Sequence, residues 1–68
     1  MAVVSVLELL GESSTGFDDA IRQAVAEASK TVRDIRSVWV KEFQATVQND
    51  QVDKFRVNVK ISFLLERK

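Results

Sequence analysis

The 68-residue chain contains no cysteine and no histidine. Disulfides, thiol nucleophiles and the usual zinc ligand sets are therefore excluded, and no imidazole is available as a general base. Proline and low-complexity runs are absent too, so with 46% of its residues hydrophobic the chain is expected to fold rather than remain disordered. Neither sign of charge is in excess, because ten basic and ten acidic residues are scattered along the sequence. That distribution leaves no electrostatic footprint for nucleic acid or an anionic membrane, and neither partner is expected. The apolar run Val3–Leu10 is broken by Ser5 and Glu8, lacks a basic leader and is too short to span a bilayer. It reads as a strand, and with nothing to direct export the expected location is the cytoplasm.

The remaining residues are organised around Phe17–Val32. Phe17, Ala20, Ile21, Ala24, Ala28 and Val32 recur at three- and four-residue steps, which places them on one helix face. The opposite face carries Asp18, Asp19, Arg22, Gln23, Glu27 and Lys30, with Asp18–Arg22 and Glu27–Lys30 spaced for weak ion pairs. Alanines at 20, 24 and 28 keep the buried face flat, so a sheet can lie close against it. The first strand, Val3–Leu10, is expected to end at Gly11, and Thr15 or Gly16 to cap the helix with Asp18 and Asp19 in its first turn. Which side of that strand is buried stays open, because Val4, Val6 and Leu10 are as apolar as Val3, Leu7 and Leu9.

Two further strands, Ser37–Val47 and Val52–Leu65, flank Asn49-Asp50, a dipeptide suited to the positive φ angles of a type I′ hairpin turn. A two-residue turn there sets a register in which facing residues have numbers that sum to 99. One face then collects Val38, Val40, Phe55, Val57, Val59 and Ile61 and serves as the core. The other collects Ser37, Trp39, Lys41 and Phe43 opposite Ser62, Lys60, Asn58 and Arg56. Large aromatics beside cations on an uncovered face point to a subunit interface or to a site for a flat or anionic ligand. A domain this small buries only about 60% of the surface of its unfolded chain. With disulfides and zinc excluded, self-association is the expected source of extra stability.

The order strand, helix, strand, strand, together with Val6-Leu-Glu-Leu-Leu-Gly11, Phe17-Asp-Asp-Ala-Ile21, Lys30-Thr-Val-Arg-Asp-Ile-Arg36 and Phe55-Arg-Val-Asn-Val-Lys-Ile-Ser-Phe63, resembles the dodecin family nearly end to end. The resemblance implies a single α+β domain over residues 1–68, of β-α-β-β order, with a three-stranded antiparallel sheet wrapped around one helix. It also implies assembly of twelve copies into a hollow homododecamer. Dodecins typically stack riboflavin, FMN or lumichrome between tryptophans inside the shell and store flavin rather than transform it. The position matching the stacking tryptophan is Ser37 here, and the position matching a flavin-bonding glutamine is Arg56. Trp39, one pleat along from Ser37, is then a displaced stacking platform, and Arg56 a donor to flavin carbonyls or phosphate. The candidate flavin-binding residues are Trp39, Arg56, Ser37, Lys60 and Phe43, and the expected ligand is FMN or riboflavin.

The alternative is a dodecin-like assembly that takes no flavin and has a structural, calcium-binding or coenzyme A-binding role. Glu12, Asp18 and Asp19, with Ser13, Ser14 and Thr15, are the candidate calcium ligands, although their spacing is no EF-hand. As helix-capping and surface acids they need no metal. Ser13 and Ser14 lack partners to activate a hydroxyl, Asp18 and Asp19 point apart, and Gly11 and Gly16 form no phosphate-cradling loop. No enzymatic activity is expected.

Overall fold

Alternation along the first strand decides which of its sides meets the helix. In the computed structural model, which describes residues 3–65, β1 spans Val3–Ser13, α1 Phe17–Ala28, β2 Ile35–Gln48 and β3 Gln51–Leu65. The strands form one antiparallel sheet in the order β1-β3-β2, with α1 across one face. The architecture is the β-α-β-β arrangement expected from the sequence. Leu7 and Leu9 pack against the core, whereas Val4, Val6 and Leu10 lie on the uncovered side, which settles the ambiguity of strand one.

The centre of the core is made of small groups. Ala20, Ala24 and Ala28 of α1 meet Val57, Val59 and Ile61 of β3, and all six are buried. The helix comes so near that β1 continues through Gly11 instead of ending there. A Cβ at Gly11 would stand 2.5 Å from the Ala20 carbonyl oxygen and 3.0 Å from the Ala24 Cβ. Glycine is thus an in-strand residue that admits the helix backbone, rather than a turn signal.

Both ends of α1 are set by side-chain hydroxyls. Gly16 caps the N-terminus without a side-chain bond, and the buried Ser13 ties the preceding loop to the first turn. Its Oγ accepts the Thr15 N–H at 3.0 Å and donates to Asp19 Oδ2 at 2.6 Å, where Gln23 Nε2 also donates at 2.9 Å. The Ser13 hydroxyl, with lesser help from Gln23, holds the Asp19 carboxyl below its ordinary pKa. At the other end the helix stops at Ala28, four residues short of the expected Val32. Lys30 and Thr31 donate to the carbonyls of Glu27 and Ala28 in tighter three-residue steps, while the Ser29 and Thr31 hydroxyls bond the carbonyls of Ala26 and Ala28. Those hydroxyls compete for the carbonyls that a continuing helix would use. Val32 still reaches the core.

The hairpin turns where expected, with φ of 53° at Asn49 and 61° at Asp50. The sum-to-99 register holds beside the turn, at Val47↔Val52, and again from Val40↔Val59 through Ser37↔Ser62. Between them it slips by one, because Asp53 is an extra residue on β3 and Lys41 an extra residue on β2. Thr46 Oγ1 accepts the Lys54 N–H at 3.0 Å beside the first bulge. Bulges increase local twist, which curls the sheet around α1. They also correct the expected face of Phe43. It pairs with Val57 instead of Arg56, and its ring meets Phe17 edge-on with centroids 5.1 Å apart. Phe17 makes a second edge-on contact with Phe55, also at 5.1 Å.

One helix is too small to cover this sheet. The chain measures 54 × 19 × 14 Å with a radius of gyration of 14.0 Å, where a compact chain of this length has about 11 Å. Its accessible surface is 5105 Å², against about 4,300 Å² for a typical monomer of this mass. Val4, Val6, Leu10 and Trp39 account for part of the excess on the uncovered face.

Gly11→Ala is expected to destabilise the fold by about 1–3 kcal/mol, read as a lowered urea midpoint, because the added methyl meets backbone. A second prediction concerns acid. A carboxyl whose folded pKa is depressed contributes stability above its unfolded value, near 3.8, and loses it as pH falls through the folded value. Asp19→Asn should therefore be less stable than wild type at neutral pH, and the two urea midpoints should converge as pH falls below the ordinary carboxylate value of 3.8 and through the lowered folded one.

Candidate functional site

On the face of the sheet turned away from α1, the strand register lays side chains in rows. One row runs Glu8–Lys60–Trp39, and its neighbour runs Val6–Ser62–Ser37. Val6, Ser37, Trp39, Lys60 and Ser62 line a concavity of about 300 Å³, at the lower end of sites that take small molecules. Trp39 is 62% exposed, so its ring is a free apolar face. The Lys60 ammonium lies 5.3 Å from the centre of that ring. Ser37 and Ser62 hydroxyls bond each other across the strands and leave their other lone pairs to a ligand.

The electrostatics of this face follow from who takes which carboxylate. Glu8 sits opposite Lys60 in the register, yet its Oε2 is 3.4 Å from Nζ of Lys41, the next residue along β2 on the Trp39 side. Arg56 Nε donates to Glu12 Oε1 at 2.7 Å, and Lys54 Nζ stands 3.8 Å from Glu12 Oε2. These pairs are roughly two-fifths exposed, so each contributes at most about 1 kcal/mol. Lys60 has no carboxylate at ion-pair distance among the described residues.

Ser37, Trp39 and Lys60, three of the five candidate residues, are therefore gathered at one hollow, and two are not. Arg56 lies two pleats along β3 from Lys60, about 13 Å away, and is occupied by Glu12. Phe43 faces the helix and packs on Phe17, so it is removed from the set. Val6 and Ser62 complete the hollow. Neither stands out from sequence alone, because Val6 joins the site only once β1 is known to pair with β3. Between the hollow and Arg56, Asn58 Oδ1 is buried without a hydrogen-bond partner.

Of the candidate calcium ligands, Ser13, Thr15 and Asp19 are brought together, with the Ser13 hydroxyl 3.0 Å from that of Thr15 and donating to Asp19 at 2.6 Å. The other two acids are engaged by cations, Glu12 by Arg56 and Asp18 by Arg22 at 3.3 Å. Among the described residues no group of three or more His, Cys, Asp or Glu side chains is placed to hold a metal ion. A larger hollow of about 650 Å³ follows the helix end at residues 29–34. It has no aromatic wall and is lined largely by polar atoms. No helix among the described residues is long and apolar enough to cross a membrane.

Comparison with known proteins agrees with this architecture. The Dodecin family model matches residues 3–66. The dodecin of Thermus thermophilus is 36% identical over 64 residues, covering 94% of this chain and 93% of that protein. The calcium dodecin of Mycobacterium tuberculosis is 32% identical over 63 residues, covering 93% and 89%. In structure, the tt0972 protein from Thermus thermophilus superposes with a TM-score of 0.95 at 34% identity over 100% of both chains. The crystal structure of the calcium dodecin, described as having a novel calcium-binding site, gives 0.83 at 29% identity over 97% and 94%. Since the match runs over almost the entire sequence and the relatives share its length and fold, the chain belongs to the dodecin family.

Proposed function

We propose that the chain assembles as a homododecameric shell and sequesters flavin, FMN or riboflavin, by stacking it on Trp39. The observation that carries this reading is the hollow on the uncovered sheet face, where an exposed indole, an ammonium and two hydroxyls converge. A planar heteroaromatic ligand with carbonyls on its edge matches that set: the ring takes the indole, the edge takes the donors. Trp39 stands one pleat from Ser37, so the platform is displaced rather than lost. Assembly is supported by the elongated shape and by Val4, Val6 and Leu10 on a face that no other described element covers. Within a shell those groups leave water. With no histidine or cysteine and no activated hydroxyl, the role is storage in the cytoplasm rather than catalysis.

The calcium reading is supported by the name of one relative. The commitments of Glu12 and Asp18 to Arg56 and Arg22 favour flavin over it.

Trp39 is the only tryptophan, so its emission reports ligand directly. Titration with riboflavin and FMN should quench both Trp39 and flavin fluorescence in wild type. In Trp39→Ala the flavin quenching should disappear, with binding weakened by at least tenfold, while the assembled mass is unchanged. Quenching of flavin that survives this substitution contradicts the platform. Phe43→Ala provides the contrast, since Phe43 faces the helix: it should lower stability by about 1 kcal/mol through the lost aromatic contact and leave flavin affinity as it was.

A further inference from the structure

We propose that Lys60 is a built-in occupant of the Trp39 face and that it makes the hollow selective for planar ligands bearing an anionic group. The inference rests on the reading of Trp39 as a stacking platform and goes on to name the charge class of what stacks there. Lys60 Nζ lies 5.3 Å from the ring centroid, within the range at which a cation is attracted to the face of an indole. Its position has a cause. Glu8, the residue opposite Lys60 on β1, is engaged by Lys41 at 3.4 Å. Lys41 shares this side of the sheet with Trp39 by simple strand alternation and from there reaches Glu8. Glu12, the other acid of β1 on this face, is taken by Arg56 and Lys54. Lys60 is left with the indole and the Ser37–Ser62 pair beside it.

A ring that stacks on this face of Trp39 must move the ammonium off it. A neutral ring then gains stacking and forfeits the cation–indole contact, a competition that weakens it about two- to fivefold at an exposed site. A ring carrying a phosphate or carboxylate replaces that contact with a charge-assisted bond, because the lysine stem is flexible and its three donors rotate. Selectivity arises as a difference between the two cases, with Lys60 repelling neither and favouring only the anion.

Riboflavin and FMN test this cleanly, since they share one ring system and differ by a phosphate. The wild-type assembly and Lys60→Met, which keeps an apolar stem without the charge, would be titrated with each at low salt, with ligand quenching as the readout. Wild type should prefer FMN by about tenfold, and the preference should shrink toward unity in 1 M NaCl, where screening acts within about 3 Å. Lys60→Met should bind riboflavin about threefold more tightly than wild type and FMN more weakly, abolishing the preference, while Lys60→Arg should retain it. An FMN-to-riboflavin ratio unchanged in Lys60→Met, or a loss of riboflavin affinity in that variant, overturns the proposal while leaving flavin storage standing. Absence of binding by both ligands to both proteins overturns the storage reading and this inference together.

Discussion

The close approach of α1 to the sheet is the constraint on which the rest depends. It is made possible by three alanines on the helix and by Gly11 on β1, where even a methyl group would meet the Ala20 carbonyl. The consequence is a thin core, with no large side chain at its centre beyond Ile61. One short helix seals one face of three long strands. On the other, Val4, Val6, Leu10 and Trp39 are exposed, because no described residue covers them. The proposed assembly and ligand would both complete burial on that face.

How that face acquires its chemistry is a matter of register. Two single-residue bulges, at Lys41 and Asp53, offset one another, so the hairpin keeps its register near Trp39 while losing it in between. The first bulge removes Phe43 to the helix side, and the second keeps the tip pairing closed. The β1 carboxylates Glu8 and Glu12 are taken by Lys41, Arg56 and Lys54, away from Lys60.

Much of this was legible from local pattern. The helix face with Phe17, Ala20, Ile21, Ala24 and Ala28 follows from its period, the hairpin turn from Asn49-Asp50, and the shared face of Ser37, Trp39, Lys60 and Arg56 from strand alternation. The bulges were not legible, because an extra residue in a ladder depends on how two strands curl around a third element. Phe43 was therefore assigned to the wrong side. Strand one read as apolar on both faces, so only its pairing with β3 could place Val6 in the hollow and Glu12 beside Arg56. The helix end was missed for a nearer reason: Val32 keeps the apolar spacing and reaches the core, while the Ser29 hydroxyl bonds the Ala26 carbonyl and the Thr31 hydroxyl shares that of Ala28 with the Val32 N–H.

The central claim is that this chain completes its burial by assembly and that the assembly holds flavin. A native mass spectrum of the purified protein after addition of FMN reads subunit number and bound mass in the same experiment. The account predicts twelve subunits carrying flavin. A folded monomer would contradict the assembly, and twelve subunits of unchanged mass would contradict the ligand.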